Sequence, residues 1–316
     1  MNVQNVGGYQ TGIDYLPAAG KNIFERENVN FNVEEATAEK VNEGAIKTAE
    51  QKTQDIKDAY AVMTSGVGAS KAASKNETIQ IWLNQLGFYS GKVDGNLYTT
   101  ASKKALKNFQ RVYGLAQTGQ ISNMVQDKLK AAISCYRTTA SKSDLGTITS
   151  MVSGHPDFKE TEVRDYFAKT WAFFRVGMGL SVHQASGVLG NIMAESGCIP
   201  DNAKDTDTNK KLHDKDYKYN VSDGRGYGLI QWTIQKRKQL LKDTSSQMGL
   251  SVSDINAQFA CFRKETERDD LTKSAWNKLK KTDLIDGATG IFLNEIEMPG
   301  NRNFSERYEK ATTIYS

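Results

Sequence analysis

From Glu77 to Ala131, apolar residues recur at three- and four-residue spacing in three short runs, and glycines at 87, 91, 95, 114 and 119 fall between them. That pattern confines this part of the chain to a small bundle of short helices joined by tight turns, because the spacing is that of one helical face and glycine accepts the left-handed backbone of such turns. Ile79, Trp82, Leu83 and Leu86 form the first face, Ala105, Leu106 and Phe109 the second, and Val125 and Leu129 with the stem of Lys128 the third. Asp94-Gly95 is a turn pair whether or not a ligand is present. Tyr89, Tyr98 and Tyr113 either fill the core of so small a bundle or stack on sugar faces.

Small-residue stretches flank this unit: Ser65 to Asn76 (SGVGASKAASKN) before it and Thr138 to Asp144 (TTASKSD) after it. They divide the 316 residues into 1–75, 76–137 and 145–316. The first segment is polar and aperiodic to about Val33. Ala38, Val41, Ala45, Ala49, Ile56, Ala59 and Met63 then trace a narrow helical seam. An alanine stripe buries too little surface to stand alone, so residues 1–63 are either a solvated linker helix or an arm that docks on a larger assembly.

Charge separates the segments as well. Residues 1–63 hold six Lys/Arg against ten Asp/Glu, net −4, which leaves +8 on the remainder. A basic remainder favours an anionic polymer, nucleic acid or a teichoic-acid-bearing wall, but no nucleic-acid motif is present. No apolar run approaches the roughly 18 residues of a membrane span. Met1 to Gly20 has no basic residue ahead of an apolar core and does not read as a secretory signal. Cys135, Cys198 and Cys261 lack any CxxC pairing and His155, His183 and His213 lie far apart, so neither a disulfide framework nor a metal site is expected, and no cofactor.

The third segment carries the chemistry. Ser181 to Glu195 (SVHQASGVLGNIMAE) reads as a helix with Ala185, Val188, Leu189, Ile192 and Met193 on its apolar face, closed by Ser196-Gly197 and Pro200. A carboxylate at such an end, against apolar neighbours, loses hydration, and desolvation raises the pKa of an acid as a proton donor at neutral pH requires. Twenty-eight residues after Glu195, DGRGYGLIQWT (Asp223 to Thr233) sets an amide and large aromatic side chains among three glycines. Gln231 can hydrogen-bond an N-acetyl or hydroxyl group, while Trp232 or Tyr227 can pack on a pyranose face.

The unit at 77–131 resembles the peptidoglycan-binding domain of the three-helix type, through IWLNQLGFYSGKVDG, TTASKKALKNFQ and GLAQTGQIS. It departs from that family at Leu97-Tyr98, where a Gly usually follows the Asp-Gly turn, and at Thr118, where an Asp usually precedes the later Gly. The resemblance implies peptidoglycan as partner, with Asp94, Gly95 and Tyr89 as the positions put forward in the wall-binding module. Glu195-Ser196-Gly197 with Ile199-Pro200, Ala203 and Gly226-Tyr227-Gly228-Leu229-Ile230-Gln231 resembles the goose-type lysozyme and lytic transglycosylase superfamily. NIMAESGCIPDNA, GYGLIQWTIQKRKQLL and FLNEIEMPGNRNFSERYEKA are closer still to the phage tail lysozyme family, over about 160–315.

What these resemblances imply is a mainly α chain: an N-terminal helical and extended segment, a three-helix peptidoglycan-binding bundle and a helical lysozyme-like domain. The implied reaction is β-1,4 cleavage between N-acetylmuramic acid and N-acetylglucosamine, with Glu195 as general acid and Ser196, Tyr227, Gly228, Gln231 and Trp232 lining the substrate. Arg237 and Arg307 read as structural. A hydrolase would need a second carboxylate; Asp205, Asp207, Asp214, Asp216 and Asp223 are candidates, with Asp223 foremost at the mouth of the glycine motif. A lytic transglycosylase would need none. Residues 1–63 would join phage tail or baseplate proteins in a virion part made in the host cytoplasm. The alternatives are a free endolysin, a non-catalytic wall-binding tail component, or a peptide-cleaving hydrolase using Cys198.

Overall fold

The computed structural model describes residues 73–142, 145–150, 160–204, 211–212, 217–268, 270–300 and 302–316. The expected N-terminal arm, His155, His213, Asp205, Asp207, Asp214 and Asp216 lie outside the described residues. The described chain is almost wholly helical.

Serine and threonine start the first three helices by accepting hydrogen bonds from backbone amides that the first helical turn leaves unpaired. Ser74 accepts from the Glu77 amide at 3.3 Å while Glu77 reaches back to the Ser74 amide at 2.6 Å, a capping box for α1, Lys75–Gln85. Thr99 caps α2, Thr100–Val112, and Ser122 caps α3, Asn123–Ala140. Ile79, Leu83, Leu86, Leu106, Phe109 and Leu129 are buried between them, and Tyr113 stacks on Phe109 at 4.5 Å.

Helix α3 overruns the expected linker at Thr138. Its second half packs along α5, Glu160–Ala172, and Tyr136 donates to Asp165 at 2.7 Å, so this stretch gains tertiary support that its polar sequence does not announce.

After α4, Leu145–Ser150, and α5, a π-turn over Phe173–Gly177 leads to α6, Val182–Glu195. A two-stranded antiparallel pair follows, β1 at Ala203–Lys204 and β2 at Lys211–Leu212. The remainder is α7 (Gln235–Met248), α8 (Ile255–Arg268), α9 (Asp270–Leu279), α10 (Ile285–Ile291), a second π-turn (Phe292–Glu297) and α11 (Phe304–Tyr315).

Helix α6 is the central element, buried along nearly its whole length. Two glycines let its neighbours close on it. A Cβ on Gly187 would stand 2.7 Å from the Thr289 amide of α10, and one on Gly190 would stand 2.5 Å from the Arg307 carbonyl of α11. Each glycine costs roughly 1 kcal/mol of helix propensity relative to alanine and admits a helix backbone in return. This close approach brings Arg307 alongside the end of α6.

The bundle α1–α3 shares one continuous core with the rest. Arg263 of α8 donates to the Val112 carbonyl at 2.8 Å and to the Gly177 carbonyl at 2.6 Å, joining the end of α2 to the first π-turn. Asn256 reaches the Leu86 carbonyl and Asn108 the Met248 carbonyl, each within 3.2 Å. These bonds join the bundle to the helices that carry the site.

Candidate active site

Glu195 closes α6, and Ser196 holds the turn behind it. The Ser196 hydroxyl is buried and lies 2.7 Å from the Leu229 carbonyl and 3.1 Å from that of Ile192. Asn202 donates to the Ser196 carbonyl at 3.1 Å and accepts on its own carbonyl from the Gly228 amide at 2.8 Å. Gln231, in left-handed backbone at φ 51°, donates its amide to the Asn202 and Gly228 carbonyls at 3.0 and 2.9 Å. Gly228 approaches the Gln258 carboxamide so closely that a Cβ would meet it at 2.6 Å. The Glu-Ser-Gly turn and the glycine motif are thus clamped together, and Ser196, Gly228 and Gln231 form the scaffold behind Glu195.

The aromatic residues of that motif face inward, which corrects the expectation that they offer faces to a sugar. Tyr227 is 0% and Trp232 1% exposed. The Trp232 indole N–H donates to both oxygens of Glu265, at 3.2 and 3.1 Å, and Arg237 pairs with the same carboxylate at 2.8 Å. Arg237 also donates to the Ile296 carbonyl at 3.1 Å, so the strut ends on the second π-turn. A run of glycine and apolar residues without a period conceals which way its side chains point.

Asp223 is likewise committed to structure. Lys238, whose side chain is fully buried, donates to it at 2.6 Å, as do the Tyr217 hydroxyl at 2.6 Å and the Arg225 amide at 3.1 Å. Partial burial opposes ionisation of Asp223, but these hydrogen bonds outweigh it and hold its pKa below the usual carboxylate value. A carboxylate so occupied is not available as a base or nucleophile. Lys238→Met is expected to lose about 2–3 kcal/mol of folding stability at pH 7. Asp223 with a lowered folded pKa stabilises fully above its unfolded value, near pH 4, and less as pH falls through the folded pKa. The deficit should therefore shrink in urea melts at pH 3; an equal deficit at both values would detach it from this pair.

The partners of Glu195 come from elsewhere in the chain. Arg307 of α11 forms an ion pair with Glu195 and donates through the same nitrogen to Glu297 at 3.3 Å. Glu297, at the end of the second π-turn, shares that guanidinium nitrogen with Glu195. The π-turn, followed by Met298 in left-handed backbone before Pro299, ends the helix so that Glu297 is directed inward. Burial, and then the Glu195 carboxyl, push the Glu297 acid well above the ordinary range, while Arg307 opposes the shift. Glu297 kept as the neutral acid beside the Arg307–Glu195 ion pair leaves the cluster without net charge, the state a buried site favours.

Cys198 is wholly buried with its sulfur 3.6 Å from Met193, and burial pushes its thiol up to about 12. It is an inert thiol, and the remaining described histidine, His183, packs on Tyr315. Among the described residues no cluster of His, Cys, Asp or Glu could hold a metal, and no described helix is long and apolar enough to cross a membrane.

In the bundle α1–α3, buried Gln80 organises the Asp94-Gly95 turn. Its carboxamide donates to Asp94 at 3.0 Å and accepts from the Gly95 amide at 2.7 Å. Gln110 repeats the arrangement, donating to Thr118 at 3.1 Å and accepting from the Gly119 amide at 2.8 Å. Thr118 thus serves the turn where the related domains have Asp. Tyr89 is buried and donates to the Lys92 carbonyl at 2.7 Å, which corrects its expected role at the wall. The exposed aromatic ring of this bundle is Tyr98, 80% accessible.

A helix ending on a carboxylate, clamped to a glycine motif and preceded by a small helical bundle, defines a lysozyme-like enzyme domain with a binding module. Residues 166–316 match the family model described as phage tail lysozyme, and residues 74–129 match the putative peptidoglycan binding domain. The chain therefore carries a lysozyme-like, peptidoglycan-degrading domain beside a module for the same polymer. No curated protein and no solved structure matches it.

Proposed function

We propose that this protein cleaves the β-1,4 bond between N-acetylmuramic acid and N-acetylglucosamine in peptidoglycan strands, with Glu195 delivering a proton to the departing glycosidic oxygen. The observation that carries the reading is the place of Glu195 at the end of buried α6, clamped to the glycine motif through Ser196 and set against Arg307 and the buried carboxyl of Glu297. A general acid needs a proton at working pH, and the neighbouring Glu297, pushed well above the ordinary range by burial, keeps one in the cluster. Glu297 is a positioning residue: it acts through Glu195.

The same contact favours a lytic transglycosylase as the second reading. Nucleophile and acid stand roughly 5–5.5 Å apart in retaining glycosidases, and base and acid roughly 6.5–9.5 Å apart in inverting ones. Held neutral by burial, Glu297 offers neither a base nor a nucleophile beside Glu195. Glu195 could then serve as acid and base in turn, the sugar's own hydroxyl closing a 1,6-anhydro ring. Residues 1–63 fit an arm docking on a phage tail or baseplate, with the virion as the place of action; a released endolysin would use the same site.

The test is release of soluble fragments from purified cell-wall sacculi across pH. Wild-type activity should fall on the alkaline side as the raised Glu297 acid loses its proton. Charged groups facing Glu297 are Glu195 from α6 and Arg307 from α11. In Glu297→Gln the guanidinium acts on one carboxyl alone, and the alkaline limb should move to lower pH by about one unit or more. No release by the wild type, or an unmoved limb in the variant, would refute the reading or the role of the pair, respectively.

A further inference from the structure

Beyond the carboxyl pair lies a cavity of about 850 Å³ between the first turns of α7, the end of α8, α9 and Met298. Its rim is apolar and open: Ile234 is 55% and Met298 42% exposed. Met298 directly follows Glu297, and the floor is the Arg237–Glu265 pair whose arginine also holds the Ile296 carbonyl. The cavity therefore adjoins the turn that delivers Glu297 to Glu195.

Its charges are ordered along one helix. Lys236, Leu240 and Asp243 fall at i, i+4 and i+7 on α7, one above another on a single face, and all three line the cavity. Lys236 and Asp243 are separated by about 10 Å along the axis at 1.5 Å per residue. No side chain caps the N-terminus of α7, whose positive end adds to Lys236. Asp243, held by Gln239 at 2.7 Å, supplies the negative end. Ile234, Leu240 and Met298 supply the apolar part of the lining.

We propose that this cavity is a specificity site for the short amphoteric peptide that branches from a peptidoglycan strand, an inference that rests on the glycan-cleaving reading. An extended peptide covers about 3.3–3.6 Å per residue, so some three residues span the distance from Lys236 to Asp243. A peptide carboxylate meets Lys236 and the α7 N-terminus, a side-chain amine meets Asp243, and alanyl methyls and the alkyl stem lie on the apolar wall. The glycan strand to which the peptide is attached is thereby registered against Glu195, and bare glycan lacks this hold.

The experiment compares two substrates, intact sacculi and the glycan strands left after an amidase strips their peptides, using the full-length protein and Lys236→Gln/Asp243→Asn. Wild type should cut peptide-bearing strands with a KM at least about tenfold lower. The double variant should raise KM on those strands toward the value for bare strands, with kcat on bare strands unchanged. Equal KM values for wild type, or an equal loss on both substrates in the variant, would overturn the proposal while leaving glycan cleavage standing. Failure of wild type on both substrates would instead remove the cleavage reading. Binding of a synthetic alanyl-glutamyl-lysyl-alanine tetrapeptide to Glu195→Gln protein, measured by calorimetry, then decides the site: binding weakened by the double variant upholds it, and no binding at millimolar peptide overturns it.

Discussion

Glu195→Gln is expected to lower the rate of wall solubilisation by about 1,000-fold while leaving the thermal transition close to that of the wild type. Loss of a positioned acid costs roughly two to four orders of magnitude in rate. The amide keeps the volume of the side chain and can still accept from Arg307, but it has no proton to give. Stability survives because the cluster can rebalance its charge. With glutamine at 195, Glu297 can ionise against Arg307 at 3.3 Å, and the buried group stays neutral overall. Sacculus turbidity and circular-dichroism melting measured together check both halves, and a variant as active as the wild type would end the assignment.

Arg307→Met should affect both stability and activity, and its signature is pH dependence. The guanidinium is nearly buried and is the positive partner of two carboxyls. Removing one partner of a buried pair typically costs about 3–5 kcal/mol, because an uncompensated charge remains. At pH 5 proton uptake can bring the carboxyls left without their cation toward neutrality, so the deficit should be modest. At pH 8 that uptake is penalised, and the deficit should approach the full range. Chemical denaturation at the two values, with Arg307→Lys as a partly restoring control, measures the difference. A deficit independent of pH would mean that the Arg307 side chain contributes by packing rather than by charge.

The helical class and the place of Glu195 are legible because both rest on local signals. Capping serines, the three- and four-residue period of α1 and α2, and a helix run ending at Ser196-Gly197 are all contiguous in sequence. The first three residues of the expected linker, Thr138 to Ala140, are helical because α5 lies against α3, a tertiary contact that no local window reports. Trp232 and Tyr227 illustrate another limit. An indole or phenol has the same sequence signature whether it meets a sugar or Glu265, and only the fold determines which.

The second carboxyl shows where local reading ends. Asp223 stood out because it opens the glycine motif, yet its partner is Lys238, 15 residues away on α7. Glu297 is one of two glutamates of FLNEIEM, in a π-turn that departs from the ordinary helical period. Nothing local distinguishes it from Glu295, which pairs with Lys278 at the surface. Its significance arises from Arg307, which approaches Glu195 because Gly190 admits α11. The signal was present as a glycine inside an otherwise apolar helix, a residue whose cost there implies a close neighbour.

The most direct test of glycan cleavage by Glu195 is mass spectrometry of the fragments that wild type and Glu195→Gln release from purified peptidoglycan. The account predicts muropeptides newly ended at N-acetylmuramic acid from the wild type, either reducible or, if Glu195 acts as acid and base in turn, as the 1,6-anhydro sugar lighter by one water. It predicts almost none from the variant. Intact glycan with newly freed peptides, or the same saccharide products from both proteins, would contradict it.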